Sequence, residues 1–492
     1  MGKAVDGMSV RVAVLGAGMS GICMGIQLRK RGIHDFIIFE KADSVGGTWR
    51  ENTYPGIACD VPSHVYSYSF ELNPDWSHAY SSGREIWDYC KHCVEKYKLE
   101  EHLKLACEVQ SVKFKDGRWQ VTTADGVVTA DVVVSGLGGL HLPNRANING
   151  MECFEGARFH TAEWDHNHSV SGKRVAIIGT GASAAQVLPG IADDVESVTI
   201  FQRSPAWVLP RMAQEIPQER RDLYRRSPWR MRLHRWFVWM LMDLLGVLSL
   251  KRSGPLAGRL KQAGLQHLEN SVNDPDIREK LTPDYEPGCK RRVISDDYLS
   301  TFNEDHVHLV IEDIDCIEKN GIRDVTGKFH EVDTIVEATG FRPFDISSYV
   351  QIEGRNGKAL KDAWSERVET YRTMMVPSFP NFFLLLGPNS ATGHTSALIM
   401  IESQVRYTIQ CLQLMERTGI NQLDPDPDVV VQYNQRLQKA LGKMVFGGGC
   451  NAWYTDENDI NFTLWPYSAT RFLWEQWHPK ISEFRSPVQA SN

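Results

Sequence analysis

Val10-Arg-Val-Ala-Val-Leu15, running into Gly16-Ala-Gly18-Met-Ser-Gly21, is the stretch that decides the fold. An apolar run of strand character meets a G-x-G-x-x-G turn, and residues 22–31 continue as a helix. Phe36-Ile-Ile-Phe39 returns as a second strand and ends at Glu40. Together they make one βαβ unit. Gly16 permits the tight turn, Gly18 lets backbone approach a pyrophosphate, and Gly21 lets helix and strand pack closely. The helix N-terminus stabilises the anion. Glu40, about 20 residues beyond the turn, is placed to accept hydrogen bonds from ribose hydroxyls.

The pattern recurs. Lys173-Arg-Val-Ala-Ile-Ile178 reads as a strand and Gly179-Thr180-Gly181-Ala182-Ser183-Ala184 as a second turn, with alanine at the third glycine position. A short helix over 185–191 and the strand Val198-Thr-Ile-Phe201 complete the unit. This strand ends in Gln202-Arg203-Ser204, where a guanidinium suits the 2′-phosphate of NADP and a carboxylate would repel it. Each unit is answered later by a buried strand ending in glycine, at Ala130-Asp-Val-Val-Val-Ser135-Gly136 and at Val332-Asp-Thr-Ile-Val-Glu-Ala-Thr-Gly340. The expected class is α/β: two nested Rossmann-like dinucleotide-binding domains with a helical insertion. The expected division is 1–145 and 341–492 for a discontinuous first domain, 146–210 and 291–340 for the second, and 211–290 for the insertion.

At 492 residues the chain is long enough for two or three domains, and 42% hydrophobic with 23% charged residues is ordinary for a globular enzyme. A net charge of −7 gives no general attraction to nucleic acid. Ten scattered cysteines fit free thiols in a reducing, cytoplasmic setting. Cys90 and Cys93 form a C-x-x-C in a helical stretch over 84–99. No second ligand pair follows at a zinc spacing, so they read as plain helical cysteines and no metal site is expected. The first residues enter a strand by Val10 and lack a signal peptide's apolar run. Residues 236–250 are the most membrane-like. Asp243 and Gly246 interrupt them, and they fall short of the roughly 20 residues a transmembrane helix needs. A buried or interface helix is expected there, with surface membrane contact as the alternative, and Trp229, Trp236 and Trp239 are expected to pack the insertion.

Between the two turns lies Phe154-Glu-Gly156-Ala-Arg-Phe-His160-Thr-Ala-Glu-Trp164-Asp165, which fits F-x-G-x-x-x-H-x-x-x-W-(P/D) at every fixed position. Here the chain resembles the Baeyer–Villiger monooxygenases, whose fingerprint this is; related N- and S-oxygenating flavin monooxygenases usually end it in Tyr or Phe. Gly46-Gly47-Thr48-Trp49-Arg-Glu-Asn-Thr-Tyr54-Pro-Gly-Ile-Ala-Cys-Asp60 is similar to that family's second signature. The resemblance spans nearly the whole chain.

The resemblance implies FAD at the first turn, with Gly47, Thr48, Trp49 and Asp60 near the flavin, and NADPH at the second. It implies that Asp60 bonds an active-site arginine following Gly-x-Lys. In Gly288-Cys-Lys290-Arg291-Arg292 this is Arg291, with Arg292 in reserve because the doubled arginine blurs the register. Lys290 then contacts the NADP 2′-phosphate, and Trp453 lies near the nicotinamide ribose. His160 is implied to be a hinge or hydrogen-bonding residue of an interdomain linker. The implied reaction passes through a flavin C4a-peroxide formed from O2 and converts a ketone to an ester or lactone. An N- or S-oxygenating monooxygenase and a non-oxygenating flavin-binding redox protein are the alternatives. A disulfide reductase would need a cysteine pair beside the flavin, where the chain has only Cys59.

Overall fold

The computed structural model describes residues 5–485 apart from 253, 255, 344, 448–451, 457 and 459. The strand Ser9–Leu15 sits inside the larger sheet, parallel to Phe36–Phe39 on one side and to Gly126–Ser135 on the other. Val12 and Val14 enter one core and Ala13 and Leu15 the opposite one, as the two-residue period of a strand requires. Both faces are covered, which is why the run is apolar throughout.

The sheet continues through the antiparallel pair Val109–Lys115 and Arg118–Thr123. Asp116 and Gly117 join them with φ of 51° and 82°, the positive pair that a tight two-residue hairpin needs. Later chain completes the sheet: Phe382–Leu384 pairs with Gly126–Ser135, and Gln351–Glu353 with Val109–Lys115. Helix Ala397–Thr418, capped by Ser396 and ended by left-handed Gly419, packs on the first helix, Met19–Lys30.

A second sheet has five parallel strands in the order Val307–Val310, Ser197–Phe201, Arg174–Ile178, Thr334–Glu337 and Ala157–His160. The helix after its glycine turn begins at Ala182, three residues earlier than the sequence pattern indicates. Its outermost strand corrects a reading of the sequence. Residues 157–160 of the supposed linker are an edge strand, with Phe159 beside Val336 and His160 beside Glu337. Four residues with Phe159 turned into the core were too short to announce a strand.

Two other segments cross between the sheets, running antiparallel around the Pro143–Phe341 bridge. Asn144 N–H donates to the Gly340 carbonyl at 2.8 Å and Arg342 N–H to that of Leu142 at 2.9 Å.

The helical stretch comprises Gln218–Arg226, Pro228–Leu250, Ala257–Ser271 and Pro275–Leu281. Its second helix starts at proline, favoured in a first turn, and is 23 residues long. It is therefore longer than the 236–250 segment read from sequence, and Trp229 and Trp236 are exposed rather than packed. Only Trp239 of the three tryptophans joins a core. Composition could not show which face turns outward.

Cys90 and Cys93 are buried and free on helix Gly83–Lys96. Burial pushes both thiols up, that of Cys93 to about 12. Cys289, in contrast, is disulfide-bonded, which corrects the expectation of free thiols throughout. Spacing in the chain does not reveal which sulfurs the fold brings together.

Candidate active site

Both glycine turns lie where the sequence puts them, and close approaches explain them. A Cβ on Gly21 would lie 1.9 Å from the Gly16 carbonyl oxygen, so only glycine lets this helix sit against its strand. Gly18 faces Gly47 backbone to backbone, and a Cβ on Gly47 would come within 3.0 Å of the Gly18 Cα. Thr48 and Trp49 open the short helix Thr48–Glu51, where the Trp49 indole donates to the Tyr66 hydroxyl at 3.0 Å.

The buried Glu40 carboxylate accepts the Ala17 N–H at 2.9 Å and the Ala42 N–H at 3.0 Å, one on each oxygen. Each oxygen keeps a lone pair for a further donor, so a ribose hydroxyl fits beside the loop contact. Helices Met19–Lys30 and Ala182–Ile191 begin at Gly18 and Gly181 with no side-chain cap and no acid in the first turn. Their leading N–H groups are therefore free of side-chain acceptors, and a Cβ on Gly181 would meet nothing within 4 Å. Uncapped N–H groups beside open space suit a pyrophosphate.

Around the second turn, the Thr180 hydroxyl donates to the Ser204 carbonyl at 2.8 Å, and the Lys290 ammonium donates to the Ser204 hydroxyl at 2.9 Å. Lys290 also lies over the Tyr285 ring at 4.9 Å. Burial pushes its pKa down and the nearby Arg203 charge pushes it further. Two cations held together without an ion pair of their own among the described residues have the charge to suit a dianion.

Arg291 donates to the Asp60 carboxylate, and that charge holds the guanidinium protonated more firmly than usual. The pair is partly open, with side-chain exposures of 43% and 25%. Arg292 turns elsewhere and donates to the Gly393 carbonyl at 2.8 Å. Burial pulls its pKa down, so the two neighbouring arginines occupy opposite electrostatic settings. Trp453 is exposed, its ring centroid 4.5 Å from that of buried Tyr454, whose phenol is close enough to both arginines to feel their charge.

The second signature is pinned to the second turn. Gln186 accepts from the Tyr54 hydroxyl at 3.0 Å and donates to the Ala58 carbonyl at 3.0 Å. A Cβ on Gly56 would lie 2.3 Å from the Gln186 carbonyl oxygen. Burial pushes the Tyr54 phenol up, opposed by a hydrogen bond with Ser183. Sequence reasoning missed Gln186, Tyr54 and Tyr454 as site residues. Gln186 meets residues 128 positions away, a separation that leaves no local pattern.

His160 is fully buried, its Nδ1 accepting the Ala162 N–H at 3.1 Å and its ring standing against Phe341. Burial, then Arg145, pushes its pKa down. Among the described residues, none of its hydrogen bonds or ring contacts reaches Asp60 or Arg291. Trp164 packs edge-on against Phe159, and Asp165 accepts the Asn167 N–H at 2.9 Å in an exposed turn. Phe154 packs beside the second sheet. Gly156 has no room for a side chain, since a Cβ would lie 2.4 Å from the Asp333 carbonyl oxygen and 2.6 Å from the Phe154 ring.

Residues 13–217 match a family model described as pyridine nucleotide-disulphide oxidoreductase. The chain is 38% identical to a Baeyer-Villiger monooxygenase of Streptomyces coelicolor over 97% of its own length and 92% of that protein's. A Baeyer-Villiger monooxygenase of Pseudomonas aeruginosa is 40% identical, over 94% and 88%. Among solved structures, an oxidized steroid monooxygenase bound to NADP superposes with a TM-score of 0.85 at 27% identity, covering 96% of this chain and 97% of that one. With two glycine turns, the two signatures and the Arg291–Asp60 pair carried on one continuous fold, the chain belongs to the Baeyer–Villiger monooxygenases.

Proposed function

We propose that the chain converts a ketone to an ester or lactone with FAD, NADPH and O2, and that Arg291 carries the charge stabilisation. Overall, ketone, O2, NADPH and a proton give ester, NADP+ and water. Bound FAD would supply oxygen activation and NADPH the two electrons it consumes. Gly16, Gly18, Gly21 and Glu40 hold the dinucleotide part of FAD, while Gly47, Thr48, Trp49 and Asp60 flank its ring. Gly179, Thr180, Gly181, Ala182 and Ser183 receive the NADPH pyrophosphate. Arg203 and Lys290 take its 2′-phosphate, and Trp453 covers the nicotinamide end.

The observation that carries this reading is the Arg291–Asp60 ion pair, on the arginine that follows the phosphate-binding Lys290. A guanidinium keeps its charge across the working pH range. Its N–H groups stabilise the negative oxygen that develops on the substrate carbonyl without giving up a proton. Asp60 positions that guanidinium and balances its charge before substrate arrives. The Gly393 carbonyl holds the neighbouring Arg292, which keeps the second cation out of the pair. A cytoplasmic setting accompanies this reading, supported by eight free cysteines among the described residues, with Cys289 the disulfide-bonded exception.

Product analysis with a cyclic ketone, a tertiary amine and a thioether tests the proposal. Lactone as the main product is expected. Exclusive N- or S-oxidation, or hydrogen peroxide alone, would refute it.

A further inference from the structure

The exposed face of helix Pro228–Leu250 is an unpartnered apolar surface. Trp229, Leu233, Trp236, Phe237 and Leu244 are each between 54% and 60% exposed. Their spacing places them on one stripe of the helix, with Leu241 between. By length and composition the helix could cross a membrane, yet its opposite face is tied to the protein. Arg235 donates to the Ser67 carbonyl at 3.0 Å. Buried Asp243 accepts from Ala469 N–H at 2.6 Å and Thr470 N–H at 3.0 Å, and bonds the His394 ring at 3.1 Å. A helix anchored this way lies on a surface rather than spanning one.

Charge says which surface. From residue 223 to 252 the one carboxylate is Asp243, which points inward. Arg226, Arg230 and Arg232 are exposed at the N-terminal end of the stripe, and Lys251 and Arg252 at the other, although the whole chain carries −7. We infer that this face docks the enzyme on an anionic phospholipid surface, with the aromatic stripe in the headgroup boundary and the cations against phosphates. A second copy of the chain fits poorly. Packed parallel, the stripe would set three arginines against three, and packed antiparallel, arginines against Lys251 and Arg252.

The inner side of the same helix supports the active-site rim. Gly246 approaches His394 so closely that a Cβ would lie 2.3 Å from the His394 Cβ, and the neighbouring Gly393 carbonyl holds Arg292. Docking therefore brings the loop around Arg292 close to the lipid, where apolar ketones concentrate.

Sedimentation of the full chain with vesicles tests the inference. Binding is expected to vesicles of phosphatidylcholine with phosphatidylglycerol and not to phosphatidylcholine alone, and high salt should release it. The paired change Trp236→Glu with Phe237→Glu should weaken binding at least about tenfold. Arg230→Gln with Arg232→Gln should weaken it by roughly fivefold per charge. Both variants should keep ketone turnover in vesicle-free buffer, so docking and catalysis are read separately. Equal binding to neutral vesicles, or none to anionic ones, would overturn the inference. So would a wild-type dimer in vesicle-free solution that either pair of changes converts to monomer.

Discussion

Arg291 and Asp60 form an ion pair across 231 positions of chain, one from the segment after the helical stretch and the other from the segment after the first glycine turn. Neither side chain is held in place by its own element alone. Each orients the other, so the pair exists only when the two sheets are correctly placed. Arg291→Ala should lower ketone oxygenation by about a hundredfold to a thousandfold, the scale of losing one oxyanion donor. Flavin content should be unchanged and NADPH oxidation partly kept. Arg292→Ala, which removes a bond to a carbonyl away from the pair, should cost far less. Gas-chromatographic product yield decides it, and the reverse ranking would move the role to Arg292.

Arg203 and Lys290 converge near Ser204, and both charges should matter for the 2′-phosphate alone. Arg203→Ala should raise KM for NADPH about tenfold or more, from loss of one charged hydrogen bond, and leave KM for NADH nearly unchanged. Because burial and Arg203 hold the Lys290 pKa below the ordinary lysine range, Lys290 loses its charge as pH rises earlier than a surface lysine would. NADPH affinity should therefore weaken on the alkaline side. Lys290→Arg should abolish that slope in a titration of KM against pH.

Gln186 joins the second glycine turn to Tyr54 and Ala58. Gln186→Ala removes its three hydrogen bonds to these residues and leaves the Ala58 carbonyl short of a donor, costing about 1–3 kcal/mol of stability. Urea unfolding followed by tryptophan fluorescence should show the lower midpoint, and unaltered unfolding would sink the bridging role.

Arg174 holds the Asp333 carboxyl at a pKa of about 2, against an ordinary 3.8. A depressed carboxylate contributes stability above the unfolded value and loses it as pH falls toward the folded one. Arg174→Gln should therefore lower stability near pH 7, where that contribution is full, and its deficit against the parent should shrink as pH falls from about 4 to 2. Urea unfolding of both proteins followed by circular dichroism at pH 7 and at pH 3 reads the difference.

The glycine turns, their strands and the Asp60–Arg291 pairing were legible because each rests on residues that are close in sequence or on a family motif. The supposed linker was misread because strand residues 157–160 are too few to show a period, and their partner lies at 334–337. The outward face of helix Pro228–Leu250 was hidden because an apolar helix has the same composition whether it is buried or docked. Gln186 and Tyr454 were invisible for another reason. A glutamine in a helix and a tyrosine in a loop acquire meaning only from distant residues that reach them.

Gly156 shows what the most diagnostic stretch of this chain is for. Its missing side chain makes room for the Asp333 carbonyl and the Phe154 ring, a matter of packing within the second sheet. Damage there would be felt in the cell as a smaller pool of enzyme, cleared by proteases before it matures. The molecules that did fold would work at their usual speed. Within that mark the glycine would thus bear on how much catalyst accumulates rather than on how fast each molecule turns over.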